Sequence, residues 1–175
     1  MKTASWRPLK NELKTVIGKG KIGKGRDIEM VIDTFDFIDR LPDKNIVRYS
    51  NEKIVQGDVK ILWYELQKSQ SEEGITSVGP KIASFYLRDL ITVLHLQNKV
   101  SEKDQIFLQP VDTWVKQIAN ILRIDEKDPW KAREKILDKC KLAGVSPVQF
   151  NEGAWYLGTH SLDLLLEQMM DNSQS

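Results

Sequence analysis

Apolar side chains recur at helical spacing along most of the chain. Ile28, Val31, Ile32, Phe35 and Ile38 share one face of a helix predicted over 27–41, which Pro42 ends. A connector at 45–50 follows, and its Ile-Val-Arg-Tyr run fits one isolated extended segment. The period then returns over 51–70, where Ile54, Val55, Val59, Leu62, Trp63 and Leu66 form a stripe that reads as core. A further helix over 81–94 sets Ile82, Phe85, Tyr86, Leu90, Val93 and Leu94 inward and leaves Lys81, Arg88 and Asp89 nearer the other sides. The segment 97–107 is a charged loop with at most a helical turn. Val115, Ile118, Ala119 and Leu122 then point inward from a helix over 113–122. Asp128-Pro129 starts the next helix and Gly144 stops it, and Ser146-Pro147 opens a last long stretch that ends in a leucine-rich helix. Residues 6–17 have helical spacing too, with Pro8 in the first turn. With no internal repeat and almost no convincing strand, the pattern predicts an all-α fold of about eight helices.

Between the second and third of these stripes, 69–74 is polar, and Ile75-Thr76-Ser77-Val78-Gly79-Pro80-Lys81 predicts a tight hairpin joining two helices. Gly79 is expected to supply backbone geometry that other residues resist, and Pro80 fits a helix's first turn. This run, followed downstream by Pro110-Val111-Asp112-Thr113, resembles the helix-hairpin-helix DNA glycosylases, whose pattern is a VGxK hairpin and then a VD-type loop. The likeness extends over about 53–158.

The resemblance implies one glycosylase-like domain over 1–175, with two helical lobes and the hairpin, lysine and aspartate at the mouth of the groove between them. Thr76, Ser77, Val78 and Gly79 would grip DNA phosphate. Lys81 stands where bifunctional members carry the nucleophile, and Asp112 where nearly all members carry an essential carboxylate. The long interval between the two is similar to the archaeal 8-oxoguanine glycosylase branch. In that branch Phe85 and Trp155 would fall where two rings sandwich the damaged base, and Asn151 where an acidic residue reads it. Three departures stand out: Thr76 and Ser77 replace the proline and glycine of an LPGVG-like hairpin, Trp114 replaces a frequent histidine, and Asn151 is not acidic.

The chemistry accounts for these residue types. Breaking a glycosidic bond builds positive charge on the sugar, which a fixed carboxylate such as Asp112 stabilises. An amine attacks only when unprotonated, so a nucleophilic Lys81 calls for desolvation or a neighbouring positive charge, and a helix N-terminus disfavours its charged form. The target base must first leave the stack. Each residue also has a plain structural reading. Lys81 could be a solvated helix-start lysine, Asp112 an N-cap and both aromatics core packing.

Composition bounds the rest. In 175 residues, 41% hydrophobic and 29% charged, there is material for one sizeable core or two small lobes. No apolar run approaches the ~20 residues of a membrane span, and the N-terminus lacks a signal peptide's apolar core, so a cytoplasmic, nucleoid-associated protein is expected. The single cysteine, Cys140, excludes an intramolecular disulfide and a four-cysteine iron–sulfur cluster. His95 and His160 show no metal-ligand spacing, so neither metal nor cofactor is expected. A net charge of +1 argues mildly against nucleic acid, but residues 1–26 hold eight Lys or Arg against Glu12, a surplus of seven that leaves −6 for the remainder. Lys19, Lys21 and Lys24 sit in the GKGKIGKGR stretch there, which reads as a basic loop fit for a phosphate backbone; its GxGxxG spacing has no βαβ unit around it and lacks the Ser or Thr of a Walker loop. The expected partner is double-stranded DNA bearing a damaged base, met by a monomer that removes an oxidised, 8-oxoguanine-like base with associated AP lyase activity. A helix-hairpin-helix module that holds DNA without chemistry is the alternative.

Overall fold

The computed structural model describes Trp6, Pro8, Leu9, residues 11–13, Thr15 and residues 25–161. Lys19, Lys21 and Lys24, with the leucine-rich terminal stretch, lie outside the described residues. Residues 8, 9, 11–13 and 15 are helical, and from residue 25 to 161 the chain forms seven α-helices and two 3-10 helices. Among the described residues no strand is present beyond one isolated parallel bridge, Gln67 to Ile75. The fold is all-α, as the periodicity predicts. The chain divides into two compact units, Met1–Asp104 and Gln105–Ser175.

In the first unit, α1 (Gly25–Arg40) turns Ile28, Ile32 and Phe37 inward. Trp6 is pinned to it: its ring stacks on Phe35 at 4.8 Å between centroids, and its Nε1 donates to Asp39 at 2.9 Å. Lys44 donates to the same carboxylate at 2.9 Å, and these two bonds, Lys44 first, hold Asp39 below the usual carboxylate range. The next helix, α2 (Ile46–Val55), occupies the stretch expected to be extended. Asn45 explains the difference, because its side chain accepts from the Arg48 amide at 3.0 Å and caps a helix start that a β-branched Ile-Val pair would not favour alone.

The predicted helix over 51–70 is two helices. Gly57 takes a left-handed φ of 84°, its amide reaches Ile54 O and the Asp58 amide reaches Lys53 O at 2.9 Å, which closes α2 in a Schellman motif. α3 (Val59–Glu65) then starts afresh and packs on α2 and on α4 (Pro80–Val93). Val55, last in α2, is exposed, and so are Val93 at the end of α4 and Ile82 in its first turn. Apolar residues at helix ends drop off the buried face although the period counts them in. Two polar links tie the helices: Trp63 Nε1 donates to Ser84 Oγ at 3.0 Å in a buried bond, and Ser50 Oγ pairs with the Tyr86 hydroxyl at 2.9 Å in a partly buried one. The expected loop over 97–107 contains two 3-10 helices, Gln97–Lys99 and Glu102–Leu108.

The second unit holds α5 (Thr113–Ile121), α6 (Pro129–Ala143) and α7 (Pro147–His160), with α7 packed on both others. Val115, Ile118, Ala119, Ile124, Ala132, Ile136, Cys140 and Ala154 make its core. Leu122, expected inside, is 48% exposed because α5 ends just before it. The start signals act as read: Asp128 caps α6 through the Trp130 and Lys131 amides, Ser146 caps α7 through Gln149, and left-handed Gly144 ends α6. Burial pushes the Cys140 thiol above its ordinary value, which suits a core residue and not a reactive one.

Candidate functional site

The candidate residues fall in both units, and each part is built locally. In the first unit the connection 66–79 joins α3 to α4. Its outer lobe is cinched where the Ile75 amide donates to Leu66 O at 3.1 Å and Gly74 lies against the Gln67 backbone; a Cβ at Gly74 would come within 2.4 Å of that carbonyl, so the position demands glycine. Asp33 of α1 accepts from the Thr76 amide at 3.2 Å and sets the turn's height on the helix. The Val78 amide then closes a four-residue turn on Ile75 O at 3.1 Å. Within it Ser77 alone has positive φ, 66°, which is the signature of a type II turn.

That geometry corrects the expectation for Gly79. It is the N-cap of α4 with φ −111° and ψ −174°, an extended conformation open to any residue, and nothing lies within 4 Å of where its Cβ would be. The left-handed position is Ser77, where the resembling pattern has its glycine. The turn therefore keeps the glycine-type backbone with a serine in it, at some cost in strain.

Behind the turn, α4 begins with no side chain capping it. Gly79 O accepts the first helical bond, from Ala83 N at 3.0 Å. Pro80 has no N–H, so the amides of Lys81 and Ile82 are the helix-start donors without an intrahelical acceptor. The Lys81 side chain is exposed; the desolvation that an amine nucleophile needs is not supplied by burial within the first unit. One turn on, half-buried Phe85 is covered by the Arg88 guanidinium at 4.8 Å from its centroid, and Arg88 is itself held by Asp89 at 2.7 Å. The other side of the turn faces an apolar cavity of about 320 Å³ lined by Val31, Phe35, Ile75, Val78 and Ile82 among others. Its two polar linings, Thr34 and Tyr86, are bonded to Met30 O and to Ser50 and Ile46 O, so it is a poor match for a polar base.

In the second unit Asp112 is the N-cap of α5, and its Oδ1 accepts from the Val115 amide at 2.8 Å. The carboxylate is half-buried and its loop is well held. Leu108, Gln109, Pro110 and Val111 are all buried, and Asn151 Nδ2 donates to Pro110 O at 3.1 Å across 41 residues of sequence. Asn151 is 0% exposed. As a base contact it is therefore corrected, since its amide is committed to the loop and no part of it is open to a ligand. Trp155, one turn further along α7, is 36% exposed. Gly158 on the same helix meets Trp114, the residue after Thr113, with room for no Cβ.

The structure thus gathers Thr76, Ser77, Val78, Gly79, Lys81 and Phe85 along one turn and helix start, and Asp112 and Asn151 about one loop. Asp33 and Asn45 were missed from sequence, and Arg88, expected nearer the other sides of its helix with Lys81 and Asp89, is 4% exposed. Asn45 alone had a local signal, as an N-cap type followed by an apolar run. Among the described residues no three His, Cys, Asp or Glu side chains cluster to hold a metal ion, and no helix is long and apolar enough to cross a membrane. Comparison with protein-family models, curated proteins and solved structures returns no match.

Proposed function

We propose that this chain is a DNA repair glycosylase with AP lyase activity, acting on an oxidised, 8-oxoguanine-like base in duplex DNA. The observation that carries the reading is the type II turn at Ser77 followed by an uncapped helix start. Backbone donors at such an end attract a phosphate oxygen, and an exposed amine stands beside them at Lys81. A left-handed backbone held at Ser77 in spite of its strain supports a role for that shape.

In the proposed reaction the unprotonated Lys81 Nζ attacks C1′ of the damaged nucleotide. The glycosidic bond breaks, its electron pair leaves with the base, and the base takes up a proton. Asp112 stabilises the positive charge on the sugar while that bond is stretched. The closed-ring aminal so formed opens as its C1′–O4′ bond breaks and a nitrogen proton passes to O4′, giving a Schiff base. This then loses a C2′ proton and expels the 3′ phosphate, which cuts the strand. Desolvation of the exposed Lys81 would come from bound DNA.

Borohydride trapping tests it. Incubated with duplexes carrying 8-oxoguanine or an abasic site and reduced, the protein is expected to form a covalent adduct. No adduct with either duplex would end the lyase assignment. The second reading, a module that holds DNA without chemistry, draws on the burial of Asn151 and the Arg88 cover over Phe85, which together remove two expected base contacts. It predicts salt-dependent duplex binding with no adduct.

A further inference from the structure

We propose that Asn151 is a positioning residue for Asp112, acting through the backbone of the loop between them; this rests on the function proposed above. Asn151 has no exposed surface, so it cannot act by touching DNA in this conformation. Its Nδ2 instead donates to the carbonyl of Pro110, two residues ahead of Asp112, at 3.1 Å. The intervening chain has little slack. Pro110 has a ring-fixed φ, Val111 is buried, and Asp112 is tied at its other side by the 2.8 Å bond from Val115 N. The carboxylate is thus held between two anchors, one on α5 and one on α7. Without the Asn151 amide the Pro110 carbonyl is left buried and unpaired, and the loop must move to satisfy it. Movement there passes directly into the direction of the Asp112 carboxylate. A group that stabilises charge on a sugar is sensitive to displacements of that kind.

The test uses the full chain with Asn151→Ala and Asn151→Ser, each checked for folding by circular dichroism. Single-turnover excision of 8-oxoguanine from a duplex is expected to fall about tenfold with the duplex Kd changed by less than about twofold, since geometry and not binding is lost. Asp112→Asn, which keeps the cap, is expected to lower excision alone, and adding Asn151→Ala to it is expected to lower it no further. An unchanged rate in the folded variants, a loss confined to Kd, or a loss that persists in full on the Asp112→Asn background would each overturn the proposal. Failure of both variants to fold would also overturn it, because Asn151 would then support the unit as a whole. If the wild-type chain neither excises nor traps, the proposed function fails separately. Amide exchange at Val115 then decides the geometric claim: faster exchange in Asn151→Ala supports the link to the Asp112 cap, and unchanged exchange refutes it.

Discussion

The starts of α4 and α5 are built on opposite plans. At α4 the N-cap is Gly79, nothing but backbone is offered to the first amides, and Lys81 stands in solvent. At α5 the N-cap is Asp112, whose carboxylate serves the Val115 amide, and the preceding loop is buried and bonded to Asn151. A helix end that satisfies itself is a fixture; one that leaves its donors unmet is a receptor for whatever anion arrives. The plan at α5 suits a group that must hold its place while charge develops, and the plan at α4 suits a grip on a mobile, charged chain. The two cost stability differently, and this makes the contrast testable.

The largest effect is expected from Lys81→Gln. It should abolish the borohydride adduct, a loss of at least about a hundredfold, while duplex affinity measured by anisotropy stays within a few fold. An adduct that survives would move the nucleophile elsewhere and remove the chemical half of the contrast. Next, Gly79→Asp would convert the open start into a self-satisfied one. The position has room for a side chain and an extended backbone, so thermal stability should rise by a few tenths of a kcal/mol as the new carboxylate caps α4. Duplex affinity should fall about tenfold, because that carboxylate takes the donors and repels phosphate. A stabilised variant with undiminished affinity would show that α4 does not hold DNA by its end.

Two smaller changes sharpen the comparison. Asp112→Ala should cost about 1 kcal/mol in denaturant unfolding, whereas Asp112→Asn, also a good cap, should cost close to nothing. Both should lose excision, which separates the cap from the chemistry. Ser77→Gly should gain roughly 0.5 to 1 kcal/mol by relieving the left-handed serine, visible as a rise of a few degrees in Tm. A drop in stability would mean that the serine side chain holds the turn.

What could be read from the sequence was mostly what local chemistry fixes. Pro80, Pro129 and Pro147 opened helices, Asp128 and Ser146 capped them, and Gly144 ended one, because each acts within a few residues of itself. The break at Gly57 escaped notice because a left-handed residue between two apolar stripes shifts their phase by little. Asn151 was misjudged for a different reason. The resemblance set it at a base-reading position, and nothing local shows the carbonyl it serves, because Pro110 is 41 positions away in sequence. The turn fell between these cases. Its location was legible, but its glycine-type residue was sought at Gly79 when the backbone assigns that conformation to Ser77.

The bridge between Gln67 and Ile75 works as a drawstring around the polar lobe 68–73. Because the neck is cinched there, extra sequence or a fluorophore placed at exposed Ser69 or Gln70 should swing freely without pulling on Ser77. That makes the lobe a natural handle for testing whether the hairpin engages DNA while leaving its shape alone.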